Sequence, residues 1–216
     1  MKDRSRWINY TIELLVVFFG VTAAFLLDGW RENQRDRQTE QQYLQSFRDD
    51  LSSDIKSLRT VLPSNRQKLQ RAQKFITTPA HTEPDTVKVI LQDMLAMEFF
   101  DKKQSTYESI KYSGSLNFIS DYALKEQIVQ YYENYKLVDK VEGLYLEGLN
   151  KYGIPFVYEN MDIPAQKMLP LTGQGNHRSK NLVAGYYALL SQNINLYKNT
   201  IETAGSLLAQ IEKQLH

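Results

Sequence analysis

The chain has 216 residues, with 26 Lys+Arg against 25 Asp+Glu, 3 His and no Cys. A formal charge of +1 and a pI near 7.8 give no basic field for a nucleic acid, and the missing Cys removes disulfides, zinc ribbons, iron–sulfur clusters and thiol catalysis. The mean hydropathy of −0.47 would suit a water-soluble protein, but that average conceals one very different segment.

Residues 1–7 form a short basic amino-terminal segment, and residues 8–27 follow as a window in which 15 of 20 side chains are apolar. The uninterrupted run Leu14–Leu27 has the length of a signal-peptide core as much as of a membrane helix, so the flanks decide. It ends in Leu-Leu-Asp-Gly-Trp-Arg-Glu, with no small-residue cleavage site at that end. Trp7 and Trp30 bracket it as interface anchors, 23 residues or about 34 Å of helix apart, close to the thickness of a bilayer's hydrocarbon core. The expectation is an uncleaved single-pass transmembrane helix with the lipid bilayer as its first partner. Lys2, Arg4 and Arg6 precede it and Arg31, Arg35 and Arg37 follow, so the positive-inside rule is tied. A short basic amino terminus is the usual retained end, which places residues 28–216 on the side of the membrane away from the cytoplasm.

Glu13 is the unusual residue of this helix, because an ionisable group among apolar ones costs a few kcal/mol unless it finds a partner or water. Steps of three and four give Glu13, Val17, Gly20, Ala24 and Leu27 as one stripe, in which Gly20 and Ala24 have the spacing that lets helices approach closely. Two readings follow. Either Glu13 reaches the interface or a neighbouring copy, in a homo-oligomer or beside another membrane protein, or it is an ion- or proton-handling carboxylate facing a helix assembly.

Residues 28–77 are rich in Gln, Arg, Glu and Leu and are expected to extend the membrane helix outward, with Pro63 kinking or breaking it. Leu44, Phe47, Leu51, Ile55, Leu58, Leu62, Leu69, Ala72 and Ile76 form its buried stripe. Residues 77–86 read as a Pro-containing linker and 86–97 as a short buried helix. Ser105 or Thr106 is expected to cap a helix that stops at Ser113-Gly114, and Ser120-Asp121 to cap a longer one over 121–150. Residues 151–180, with three prolines and three glycines, predict an irregular loop with short helical turns at most. A last helix over 181–214 carries Leu190, Ile194, Tyr197, Ile201, Ala204, Leu208, Ile211 and Leu215 at the period of a bundle or coiled-coil seam. No segment alternates with period two, so strands are not expected. The fold class is therefore all-α: a single N-terminal transmembrane helix continuing into an antiparallel helical bundle over 28–216.

Residues 10–32, 41–51 and 105–119, with an Ile-Glu-x-x-x-Val-x-x-Gly-Val motif and a Ser-Gly-x-Leu segment, resemble a group of uncharacterised bacterial proteins, a domain of unknown function. That resemblance implies a single membrane pass, a helical domain and a bacterial source, and carries no activity or catalytic residue.

Catalytic constellations are not evident. His81, His177 and His216 stand far apart, and the His81-Thr82-Glu83-Pro84-Asp85 run reads as a solvated linker before a metal site. Gly173-Gln174-Gly175 lacks the third glycine and the strand of a dinucleotide loop, and Glu98 with Asp101 reads as a solvated edge before an acid–base pair. No catalytic, cofactor or metal site is expected. The 14 Tyr residues include Tyr131, Tyr132, Tyr135, Tyr145, Tyr186 and Tyr187, which suit a bundle core with hydroxyls at its rim, or a groove for a peptide or an apolar ligand.

Overall fold

In the computed structural model a single helix, α1, runs from Lys2 to Thr77. The structure describes residues 2–78 and 84–215, and side chains from Glu13 onward. Among the described residues seven helices follow one another: α1, α2 (Pro84–Leu95), α3 (Ser105–Tyr112), α4 (Tyr122–Glu133), α5 (Tyr135–Gly148), α6 (Ile154–Asn160) and α7 (Gln174–Leu215). A 3-10 turn at Ser115–Phe118 and a π turn at Leu149–Gly153 join them. The protein is all-α apart from a two-stranded antiparallel hairpin, β1 (Met161–Asp162) with β2 (Lys167–Met168), in which Met161 pairs with Met168.

Local sequence accounts for several boundaries. Asp121 sits extended before α4 and accepts from the Leu124 amide at 3.1 Å, as the cap reading expects. Gly114 takes φ +72° after α3, a conformation that costs a residue with a Cβ. Gln104, rather than Ser105 or Thr106, occupies the cap position of α3 and makes no side-chain cap.

Four expectations are corrected. The helix over 121–150 is two helices, α4 and α5, meeting at Asn134. The irregular loop of 151–180 contains α6, the hairpin and the first turns of α7, which begins at Gln174 rather than 181. Two short strands exist where none was expected: Leu169 N–H donates to the Asn160 carbonyl at 2.9 Å and closes the hairpin against the end of α6.

The fourth concerns Pro63, which lies inside α1 without ending it. A mid-helix proline loses one hydrogen bond and costs about 3 kcal/mol, so neighbouring contacts must hold the helix together. Val61 and Leu62 are buried just before it. Just after it, Ser64 donates to Glu98 at 2.7 Å, Asn65 to the Glu98 carbonyl at 2.8 Å, and Lys68 to the Ala96 carbonyl. Pro63 itself is exposed, so Pro63→Ala should raise stability by about 2 kcal/mol, read as an upward shift of the thermal unfolding midpoint.

Helices α1 and α7 run in opposite directions along each other. Near the start of the packed region Glu40 accepts from Ser120, and Gln214 at the end of α7 donates to Asp121 at 2.9 Å. Toward the other end Arg71 pairs with Asp93, and Tyr186 lies in the same electrostatic neighbourhood. The core between them includes Leu44, Phe47, Leu51 and Leu58 from α1 and Leu190, Tyr197, Ala204 and Ile211 from α7. Ile76, placed on the stripe by its spacing, is exposed, and Phe75 is buried instead.

Candidate functional site

Three features could carry function: the apolar stretch of α1, a set of buried carboxylates, and a groove between α5 and α7.

From Glu13 to Glu32 every side chain of α1 is exposed, including Leu14, Val16, Phe18, Phe25 and Leu26. One 18-residue window here has a mean hydropathy of 1.7 with none of it buried, long and apolar enough to cross a membrane. Glu13, Val17, Gly20 and Ala24 share one helix face, which nothing among the described residues covers, and a Cβ added at Gly20 would meet nothing within 4 Å. Trp30 is exposed at the end of the stretch; the Trp7 side chain lies outside the described residues. Glu40 already accepts from Ser120 and Tyr43 packs against the core, so residues 28–39 form a polar spacer of about 18 Å of helix.

The carboxylates are the feature that spacing did not reveal. Asp54 is fully buried, where it accepts from the Tyr131 hydroxyl at 2.8 Å, from the Tyr135 hydroxyl, and from the Lys103 amide at 2.9 Å. Burial raises its carboxyl above the usual aspartate range, and the three hydrogen bonds only partly offset that. Asp50, one turn earlier, is also raised by burial. The surrounding rings stack closely: Tyr107 lies parallel to Tyr132 at 4.5 Å, and Phe100 meets Tyr135 and Tyr197 edge-on.

Glu142 on α5 is buried too, and accepts from the Tyr197 hydroxyl at 2.6 Å and from Lys102 at 2.5 Å. Asp139 holds the same lysine at 2.9 Å. Burial disfavours the Lys102 charge, but these two carboxylates outweigh it and raise its pKa. Asp93 on α2 receives a two-pronged bond from Arg71, at 2.6 and 2.7 Å. Asp54, Glu142 and Asp93 therefore each have internal donors, an arrangement that joins α1, α2, α4, α5, α7 and the 96–104 segment, whereas the buried Oδ2 of Asp50 has no partner among the described residues.

The other sequence candidates are dispersed. Glu98 is held by Ser64 and Lys68 and Asp101 by Lys103, so each acid has its own partners. The Ser64 hydrogen bond, helped by the Lys68 charge, lowers the Glu98 pKa. Of the His81–Asp85 run, residues 81–83 lie outside the described residues, as does His216. Among the described residues no group of three or more His, Asp or Glu side chains is placed to hold a metal ion. Tyrosine hydroxyls expected at the rim are mostly inside: Tyr145 donates to the Met94 carbonyl, and those of Tyr132 and Tyr186 have no partner.

The groove has a volume of about 600 Å³ and opens between α5 and the first half of α7, around the π turn. Buried Tyr145, Phe156, Tyr186 and Met94 contribute its lining. Only Lys151, Tyr152, Phe156 and Arg178 of its lining come from the 151–180 stretch that reads as an irregular loop; most of the rest comes from α5 and α7. No family model matches this chain, and neither does any curated protein or solved structure.

Proposed function

We propose that this chain is a membrane-anchored, non-enzymatic interaction protein, a scaffold or sensor held at a bacterial inner membrane by α1, with residues 28–216 as an antiparallel helical bundle on the periplasmic side. The observation that carries the reading is continuity. The exposed apolar stretch of α1, its polar spacer and the buried stripe from Leu44 onward are one helix without a break. A helix of that kind transmits tilt and rotation as a rigid body, so a partner bound to the helical body would act on the membrane segment. Non-enzymatic action is supported by the buried acids: Asp54, Glu142 and Asp93 are each engaged by internal donors.

Homo-oligomerisation, or pairing with another membrane protein, is part of the proposal, because nothing among the described residues covers the Glu13, Val17, Gly20, Ala24 face. The test is purification of the tagged full chain from its native membrane, with crosslinking, and identification of what accompanies it. Co-purifying copies or a reproducible partner are expected. A strict monomer with no crosslinked protein would remove the reading's support.

The same uncovered Glu13 favours a second reading, an oligomeric ion- or proton-handling component. Glu13→Gln separates the two in liposomes. Retained assembly with lost flux supports transport, while absence of flux in the unmodified protein excludes it.

A further inference from the structure

Beyond that reading, we propose that the α5–α7 groove binds a single-chain amphiphilic anion, a fatty carboxylate, with its tail between the two helices and its head at the π turn. The chamber's roughly 600 Å³ falls within the range of small-molecule sites. Its middle is kept open by glycine. Gly148 on α5 and Gly185 on α7 both line it, and a Cβ added to either would meet nothing within 4 Å. Helix-interior glycine weakens a helix, so these two leave space at a cost to helix stability.

The groove also has a direction. Helices α5 and α7 run opposite ways, since Tyr145 packs against Tyr186 and Glu142 accepts from Tyr197. Leu144 therefore stands level with Leu189 at one end, while Lys151 stands level with Arg178 and Asn181 at the other. One end is apolar and the other has two cations and an amide. Arg178 holds only Glu159, in a surface pair with both side chains more than half exposed, and Lys151 makes no ion pair among the described residues. Glu147, the one acid in the lining, lies one turn before Lys151, so the lining itself carries two cations against one acid, with Glu159 on Arg178 just outside it. The π turn Leu149–Gly153 places Lys151 and Tyr152 at that opening, and such turns recur at ligand sites. An apolar trough with a cationic end matches a chain that carries one carboxylate. A neutral lipid would leave the cations unused, and a second copy would need an apolar face with no charge at its end.

The full chain in phosphatidylcholine nanodiscs, photolabelled with laurate bearing a terminal diazirine, tests this. Label is expected in residues 144–156 and 178–189, displaced by free laurate but about tenfold less well by dodecanol. Gly148→Leu and Gly185→Phe fill the trough and should reduce that label about tenfold, with unfolding midpoints no lower than the unmodified chain. Lys151→Glu, an exposed change, should weaken laurate labelling severalfold and leave a dodecanol-derived probe unaffected. Label within 13–27 reports bilayer insertion separately, so failure of the groove and failure of the anchor are distinguishable. Label confined to 13–27, undiminished groove label in Gly185→Phe, equal competition by dodecanol, or disulfide crosslinking between copies at Leu144→Cys would each overturn the proposal.

Discussion

Asp54→Ala is expected to destabilise the helical body by about 4 kcal/mol, the largest loss from any single polar side chain discussed above. Three donors converge on this carboxylate, the hydroxyls of Tyr131 and Tyr135 and the amide of Lys103, and all lose it in one step, with only Tyr135 keeping another acceptor, the Tyr131 hydroxyl at 3.1 Å. Each donor left without a partner in a buried site costs about 1–3 kcal/mol, so the sum exceeds that of an ordinary surface change severalfold. For a chain of this size the thermal midpoint should fall by about 12 °C. Tyr135→Phe removes one donor and leaves the acceptor with two, so it should cost about 1 kcal/mol. A comparable loss from both variants in thermal unfolding by circular dichroism would contradict the convergent role given to Asp54.

The same residue fixes a sign for pH. Its folded pKa is raised by burial, so the folded state binds the proton more tightly than the unfolded chain. The stabilisation from this group is present below the unfolded aspartate value near 3.8 and is lost as pH rises through the higher folded value. Asp50, also raised, adds in the same direction. Glu98 opposes them, because its lowered value stabilises the fold above the unfolded value of 4.5, an effect lost as pH falls. Asp54→Asn removes one titration and leaves the others. The stability gap between the unmodified chain and Asp54→Asn should therefore be widest near pH 4 and narrow toward pH 7; a gap that widens with pH would invert the assignment.

The second large effect lies at the other end of α1. Phe18→Asp with Val21→Asp places two carboxylates near the centre of the apolar stretch, each costing about 3 kcal/mol in a bilayer. On the proposed anchoring, the doubly substituted chain should move from the alkali-resistant membrane fraction to the soluble one. Both residues are exposed and touch none of the core, so the helical body should melt at its usual temperature. Retention of the double variant in the membrane fraction would show that something other than this helix holds the protein there.

Much of the architecture was legible because helix burial follows a spacing rule. Leu44, Phe47 and Leu51 recur at steps of three and four and Leu58 follows seven residues on, and each is buried where that recurrence places it. Glu13 stood out for the converse reason, as a charge within an apolar run. Asp54 was not recognised, although it interrupts the stripe between Leu51 and Leu58; an acid on a buried face looks like noise until its donors are known. Those donors come from Lys103, Tyr131 and Tyr135, dozens of residues away.

By itself, then, the sequence determined an all-α chain with a helix apolar and long enough to cross a membrane, because both follow from composition within short windows. Tertiary structure alone decided that α1 continues through Pro63, that Asp54 and Glu142 are internal acceptors, and that residues of 144–156 and 178–189 line one groove. Each of those depends on which distant groups arrive beside a residue, and local periodicity carries no information about them.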